Sequence, residues 1–134
     1  IVMEDLERAK AICRQLKDLG FRISIDDFGS GYSSLGTLQD LTIDVLKLDR
    51  TFLMSSESGE RSRAILEGVV GIAEKLHVTI VVEGVETCEQ AAMLLQLDDG
   101  VIAQGYLYSR PVPRAESDRQ LDGAVLEPHE GCAE

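Results

Sequence analysis

Short apolar runs alternate with longer segments of helical periodicity along most of this sequence. The runs typical of strands are residues 21–25, 42–48, 79–82 and 100–107. The segments in which apolar residues recur every three or four positions are 4–19, 61–77, 87–97 and, with a weaker pattern, 115–125. Strands that alternate with helices form parallel sheets. The sequence therefore predicts an α/β fold with four parallel strands and crossover helices, either as an open doubly wound sheet or as part of a (β/α)₈ barrel.

Two of the predicted helices carry end signals. Gly20 follows the segment 4–19 and is typical of the residue just past a helix C-terminus. Thr87, with Gln90 three positions later, forms the pattern of a capping box and predicts a helix start. The apolar stripe expected to be buried on the helix 61–77 consists of Ile65, Val69, Ile72, Ala73 and Leu76.

The charge of the sequence restricts the partners it can have. Its 134 residues include 13 basic and 24 acidic side chains, for a net charge of −11. Duplex DNA and anionic membranes require a basic surface, so neither is expected as the main partner. No run approaches the roughly 18 consecutive apolar residues of a membrane helix. A phosphate ligand remains compatible with this charge if divalent cations lie between it and the acidic side chains.

The cysteines Cys13, Cys88 and Cys132 are odd in number and far apart in the sequence. They do not have the spacing of a zinc site. We therefore expect no disulfide framework and a reducing, cytosolic environment.

Polar side chains stand where each predicted strand stops. They are Asp26 and Asp27 after the first strand, Lys47 and Asp49 at the end of the second, Glu83 and Glu86 after the third, and Gln104 in the fourth. Parallel strands bring their carboxyl ends to one rim, which is where ligands bind in α/β sheets and barrels. The sequence thus predicts that these side chains converge, although they are far apart along the chain.

The chemistry of this set points to metal-assisted phosphate chemistry. Adjacent Asp26 and Asp27 cannot both be buried and ionised without a cation, and Mg²⁺ and Mn²⁺ prefer carboxylate oxygens. Two such ions can clamp the attacking and leaving oxygens of a phosphodiester displacement, while a lysine steadies the attacking water. Each feature also has a simpler explanation: the aspartates as a turn, Lys47 as an edge lysine, and Glu86 as a charge at a helix N-terminus.

Four motifs resemble the EAL-domain family of cyclic-di-GMP phosphodiesterases: IDDFGSGYSSL (25–35), LKLDRTF (46–52), VVEGVET (81–87) and QGYLYSRPVP (104–113). The resemblance covers roughly residues 1–113 and implies the back half of a modified (β/α)₈ barrel. We expect this half domain to occupy residues 1–121 and a flexible tail to follow over 122–134. It also implies hydrolysis of one phosphodiester bond of cyclic di-GMP, which gives linear pGpG, with Mg²⁺ or Mn²⁺ and two ions in the complete site.

The resemblance assigns roles to individual residues. Asp26, Asp27 and Glu83 are implied metal ligands, and Glu83 is also implied to be catalytic. Lys47 resembles the lysine that orients the attacking water. Gln104 resembles the glutamine that hydrogen-bonds a water held by the metal.

Further residues are implied to shape the site. FGSGYSS (28–34) resembles a mobile lid, for which Gly29, Gly31, Tyr32 and Ser33 are the candidate residues. Glu86 resembles the glutamate that holds this lid, and Asp49 is expected to support the site. Arg110 and Pro111 are candidate substrate-binding residues.

The EAL signature, an asparagine ligand and a further glutamate ligand would lie upstream of residue 1. Every site residue that the resemblance assigns to this half is present, so the parent protein is predicted to be an enzyme. The 134 residues alone are expected to be inactive, because the other ligands are not among them. Two alternatives stay open: a catalytically inactive receptor for cyclic di-GMP, and an incomplete domain that acts by pairing with another chain. We further expect a homodimer formed through open sheet edges, sensor or GGDEF domains fused upstream, and a cytoplasmic parent with or without a membrane tether.

Overall fold

In the computed structural model, which describes residues 2–29, 35–53, 59–98 and 100–123, helices and strands alternate along the chain. The elements are α1 Val2–Asp18, β1 Ser24–Phe28, α2 Leu35–Asp40, β2 Val45–Leu48, α3 Glu60–Lys75, β3 Thr79–Glu83, α4 Cys88–Leu97, β4 Ile102–Gln104 and α5 Arg114–Gly123. The strands form one sheet in the order β1-β2-β3-β4, and every neighbouring pair is parallel. The predicted α/β class with four parallel strands is confirmed.

The helix-end signals act as the sequence predicts. After α1, Gly20 has a φ of 88°, and the Phe21 N–H donates to the Leu16 carbonyl over 3.0 Å, which closes the last turn. Before α4, the Thr87 hydroxyl accepts from the Gln90 N–H, and the Gln90 side chain accepts from the Thr87 N–H. The end of α1 and the start of α4 are thus both determined by hydrogen bonds between residues that are close in the sequence.

Strand bounds are shifted relative to the sequence prediction. β1 starts at Ser24, three residues later than predicted, and continues through the two aspartates to Phe28. β4 ends at Gln104, because the chain then turns away and the Leu107 N–H donates to the Val85 carbonyl over 3.0 Å. The short helix α2 was not among the predicted helices, since its six residues are too few to show a periodic apolar pattern.

The core lies between the two inner strands and α3. Leu46, Leu48 and Val82 from the strands are 0% exposed. The buried face of α3 consists of Leu66, Val69, Val70 and Ala73. The predicted stripe is therefore correct at Val69 and Ala73 and wrong at Ile65, Ile72 and Leu76, which are exposed. Apolar side chains occupy two adjacent rows of this helix, so the pattern alone leaves its rotation about its axis open by one position.

Ion pairs link α1 to the segment that precedes β2. Lys10 pairs with Asp40, and Lys17 with Asp44, each over 2.9 Å. Several apolar side chains on or after α1 remain exposed, among them Ile12, Leu19 and Phe21. These three side chains are not covered by any part of the chain within the described residues.

The remaining sequence predictions concern cysteines, membrane helices and the tail. Cys13 is a free thiol, whereas Cys88 is disulfide-bonded, a pairing that was not predicted from the sequence. Sequence spacing does not show which sulfur atoms meet in space. None of the helices in the described ranges has both the length and the apolar character needed to cross a membrane. Residues 124–134 of the predicted tail lie outside the described residues.

Candidate active site

A bulge in β1 brings two adjacent aspartates to the same side of the sheet. The β1–β2 pairing runs from Ile25↔Leu46 to Phe28↔Leu48, so three steps along β1 match two steps along β2. The extra residue coincides with a left-handed backbone at Asp27, where φ is 51°. Adjacent side chains of a regular strand point to opposite faces, and a bulge removes that constraint. Asp tolerates a left-handed backbone better than most residues do.

The two aspartates meet a glutamate from β3. Asp26, Asp27 and Glu83 each offer a carboxylate oxygen, and the three oxygens lie within 4.8 Å of one another. Lys47 stands between them: its Nζ is 2.9 Å from Asp26 Oδ1 and forms a second ion pair with Glu83. Lys47 pairs with Val81 in the β2–β3 ladder, and Glu83 lies two residues further along the same face. Three neighbouring strands thus supply one cluster.

The charges of this cluster reinforce one another. Glu83 first, and then Asp26, raise the pKa of the Lys47 amine, so that it stays protonated. In turn the hydrogen bond from Lys47 lowers the pKa of the Asp26 carboxyl, which is 64% exposed at its side chain. Three carboxylates face a single ammonium group, which leaves a surplus of negative charge at the rim.

The donor set fits a hard divalent cation. Mg²⁺ and Mn²⁺ take carboxylate oxygens, at about 2.1 Å for Mg²⁺, so oxygens that share one such ion lie up to about 4.2 Å apart. The observed spread of 4.8 Å is within a small side-chain adjustment of that value. The surplus negative charge is of the sign and size that a divalent ion would neutralise.

A cleft of about 260 Å³ opens beside the cluster. Its lining residues are Arg50, Glu83, Gly84, Glu86, Gln104, Gly105 and Tyr106. Gln104 ends β4 opposite Glu83 in the ladder, and its side chain is exposed. Backbone hydrogen bonds join the two loops that form the cleft, because the Val85 N–H donates to the Gln104 carbonyl over 3.1 Å. The cleft and the carboxylate cluster share Glu83 and form one continuous site.

Of the two predicted support residues, Glu86 lines the cleft and Asp49 does not. The Asp49 carboxylate accepts the Thr51 N–H over 2.9 Å, so it holds the turn after β2 and does not join the metal-binding group. Thr51 is also the main cause that lowers the Asp49 pKa. Glu86 lines the cleft, and its backbone N–H donates to Gln90 Oε1 over 2.8 Å.

Most residues of the predicted lid lie outside the described part of the chain. Gly31, Tyr32 and Ser33 lie outside the described residues. Gly29 lies at the start of the predicted lid with a φ of 103°, and a Cβ there would be 1.9 Å from the Phe52 ring. Only glycine fits this position, which agrees with a loop that passes close to the β2 side of the rim.

The candidate substrate residues lie just past β4. The Arg110 guanidinium lies 4.5 Å from the centroid of the Tyr106 ring, while Pro111 is exposed and does not line the cleft. Sequence reasoning missed Arg50 and Tyr106 as cleft residues. Arg50 directly follows Asp49, and Tyr106 directly follows the Gln104-Gly105 pair. The signal that could have identified them is their position next to recognised motif residues at the strand ends.

Known proteins share the sequence and the fold of this chain. The family description "EAL domain" matches residues 2–111. The chain belongs to the EAL-domain family. Among curated relatives, the cyclic di-GMP phosphodiesterase NbdA of Pseudomonas aeruginosa is 42% identical over 120 residues, which cover 90% of this chain and 15% of NbdA.

Solved EAL structures give the same result. The EAL domain of Mycobacterium smegmatis DcpA is 36% identical with a TM-score of 0.81, over 88% of this chain and 52% of that chain. A manganese and cyclic-di-GMP complex of Klebsiella pneumoniae BlrP1 is 36% identical with a TM-score of 0.69, over 75% of this chain and 26% of that chain. The chain therefore spans about half of the solved EAL domain and a smaller share of the longer proteins. A partial (β/α)₈ barrel is the fold that these neighbours support.

Proposed function

We propose that this chain is part of a cyclic-di-GMP-specific phosphodiesterase that hydrolyses cyclic di-GMP to linear pGpG with divalent metal ions. The observation that carries the proposal is the meeting of Asp26, Asp27 and Glu83 within 4.8 Å, with Lys47 held between two of them. A structural ion pair needs only one carboxylate per lysine, whereas this rim gathers three. The names of NbdA and of the BlrP1 complex support the same substrate.

The reaction adds the oxygen of a water molecule to phosphorus and breaks the bond from phosphorus to the 3′ oxygen of the ribose. The 3′ oxygen leaves with a proton, and the phosphate stays on the 5′ side of linear pGpG. Lys47 is protonated and lies on the rim, so it orients the water and balances charge on the phosphate. Gln104 lies across from Glu83 and donates or accepts a hydrogen bond at the water.

Asp26, Asp27 and Glu83 are the residues that would hold the metal. Bound there, Mg²⁺ or Mn²⁺ would lower the pKa of a water molecule and offset the charge on the phosphate. The manganese complex of BlrP1 supports this class of ion. Because Lys47 contacts two of the three ligands, it also limits their motion before the metal arrives.

We also propose roles for the lid, support and substrate-binding residues that the family resemblance assigns. Gly29, Gly31, Tyr32 and Ser33 are assigned to a lid segment and Glu86 is assigned as the residue that holds it, while Asp49 supports the strand that carries Lys47. Arg110 and Pro111 bind substrate beyond β4. The place of Glu86 in the cleft and the tight fit at Gly29 support these roles.

The decisive experiment uses the complete protein that contains this chain. Cyclic di-GMP is incubated with it in Mg²⁺, in Mn²⁺ and in EDTA, and the products are identified by mass. We expect pGpG with either metal and none in EDTA. Binding of cyclic di-GMP without hydrolysis in any metal would refute the enzyme and support a receptor.

Assembly and location are further proposals. The exposed β1 edge and the uncovered face near Phe21 support pairing with other parts of the complete protein or with a second copy in a homodimer. The longer relatives support sensor or GGDEF domains in the same protein, and a substrate that is a bacterial second messenger supports a cytoplasmic site. We place the boundary of the EAL domain near residue 121, with the tail after it. Sedimentation equilibrium of the complete protein measures the oligomeric state.

A further inference from the structure

Tyr106 is held rigidly at the mouth of the cleft by the residues on both sides of it. A Cβ on Gly105 would lie 2.0 Å from the Val85 carbonyl oxygen, so this position requires glycine and the two backbones touch. On the other side, the Leu107 N–H donates to the same carbonyl over 3.0 Å, and the Leu107 side chain is buried. The backbone at Tyr106 is therefore fixed, while its side chain is 48% exposed and lines the cleft.

A second contact favours one orientation of the ring. The Arg110 guanidinium covers the Tyr106 ring at 4.5 Å from its centroid, a cation–π distance, and Arg110 is exposed to solvent. Arg50 also lines the cleft, and its Cβ would lie 2.5 Å from a Cβ on Gly84. Within the described residues, Arg50 forms no ion pair. The cleft thus joins an oriented aromatic ring and a cation beside an acidic cluster.

An exposed aromatic ring with arginines nearby is the usual means by which proteins recognise an unpaired base, through stacking. The cleft volume of about 260 Å³ suits one part of a dinucleotide, since sites for drug-sized ligands measure about 300–1,000 Å³. We propose that Tyr106 stacks on a purine base of the substrate and sets the preference for purine over pyrimidine dinucleotides. Arg110 acts as a positioning residue that holds the ring. This inference rests on the proposed function, because it names the substrate group that the same site recognises.

The test measures the Kd of the complete protein for cyclic di-GMP and for cyclic di-UMP by calorimetry in EDTA, where no hydrolysis is expected. Stacking on an aromatic side chain is lost in Tyr106→Leu, which should weaken cyclic di-GMP binding about 5- to 100-fold. The loss for cyclic di-UMP should be smaller, because a single ring covers less of the tyrosine. Tyr106→Phe keeps the ring and should bind within about 2-fold of the wild type. Arg110→Ala should weaken binding less than Tyr106→Leu, and Arg110→Lys should restore part of it.

Leu95→Ala is the control, since Leu95 is an exposed apolar residue of α4 that does not line the cleft. It should leave both Kd values unchanged. An unchanged Kd in Tyr106→Leu, or an equal loss for both dinucleotides accompanied by a lower melting temperature, would overturn the stacking role. Hydrolysis is measured separately: wild-type protein that binds cyclic di-GMP through Tyr106 without cutting it contradicts the proposed phosphodiesterase and leaves the stacking result standing.

Discussion

The inner strands β2 and β3 differ sharply from the edge strand β1, although all three belong to one sheet. β2 and β3 pair over four consecutive residues without irregularity, from Val45↔Thr79 to Leu48↔Val82. β1 pairs with β2 through a bulge, and most of its residues are exposed. The inner pair holds the core, whereas the irregular strand holds two of the three candidate metal ligands.

This difference shows how the molecule separates stability from chemistry. Regular pairing and buried leucines fix the positions of Lys47 and Glu83 at the rim. The bulge then turns Asp26 and Asp27 toward them at the expense of ladder pairing and of a left-handed backbone. Locally unfavourable geometry of this kind persists where the surrounding structure determines it, and it is concentrated at functional sites.

The largest effect is expected at the junction of the two regions. If the proposed function holds, Glu83→Ala in the complete protein should lower kcat for cyclic di-GMP by about 10²- to 10⁴-fold, because it removes a proposed metal ligand and a partner of Lys47. Lys47→Ala should have an effect of the same order. Melting temperatures should change little, since both side chains lie at the rim outside the core.

The matched control is Glu74→Ala, which removes an exposed glutamate from α3 and should leave kcat unchanged. Comparable losses of kcat in Glu74→Ala and Glu83→Ala, or a wild-type kcat in Glu83→Ala, would contradict a specific role of the rim residues in catalysis.

The second largest effect is expected on stability, from a substitution in the inner strands β2 and β3. Leu46 is 0% exposed, and Leu46→Ala should lower the free energy of unfolding by about 2–5 kcal/mol, because it removes buried methyl groups and leaves a cavity. Urea titration of the complete protein measures this change. Ile65→Ala, on the exposed side of α3, should cost about 0.5 kcal/mol or less. Equal costs at the two positions would show that the described core is not the source of stability.

A smaller effect is expected from glycine substitutions at two residues with a left-handed backbone. These are Asp27 at the rim and His77 after α3, whose φ angles are 51° and 56°. Glycine adopts this backbone without strain, so His77→Gly should stabilise the fold by up to about 1 kcal/mol and leave activity intact. Asp27→Gly relieves the same strain but removes a carboxylate, so Mn²⁺ affinity should fall. Thermal unfolding and Mn²⁺ calorimetry test the pair. Unchanged Mn²⁺ affinity in Asp27→Gly would exclude Asp27 as a ligand.

The smallest effect concerns acid stability at the amino ends of the strands. The Ile23 N–H, which donates to Asp44 over 2.7 Å, is the first cause that lowers the Asp44 pKa from its ordinary 3.8, and Lys17 is the second. A lowered pKa in the folded state means that this stabilisation is complete above pH 3.8 and is lost as the pH falls through the folded-state pKa.

Asp44→Asn should therefore flatten the decline of stability in acid, measured by urea titration at several pH values. Lys17→Met should flatten it less, because the backbone hydrogen bond remains. A decline in Asp44→Asn as steep as in the wild type would assign the acid sensitivity to other carboxyl groups, including those at the rim.

Much of the fold was predictable because local signals are strong. Gly20 and the Thr87–Gln90 box mark helix ends through hydrogen bonds within a few residues, and both are confirmed. The predicted buried face of α3 was correct at two of its five residues, because the choice between two apolar rows depends on which neighbour covers them. The extent of β1 was missed, since strand ends are set by where pairing partners lie and not by the strand's own residues.

The sequence alone determined the alternation of strands and helices, the family, and the presence of carboxylates, a lysine and a glutamine at strand ends. These follow from residue type and spacing, which act locally. Only the tertiary structure decided that Asp26 and Asp27 share one side of the sheet, that Lys47 bridges Asp26 and Glu83, and that Tyr106 faces the same cleft as Glu83. Those results depend on register, a bulge and close backbone contact between segments far apart in the chain, and pairwise distances of that kind are not encoded in any single segment.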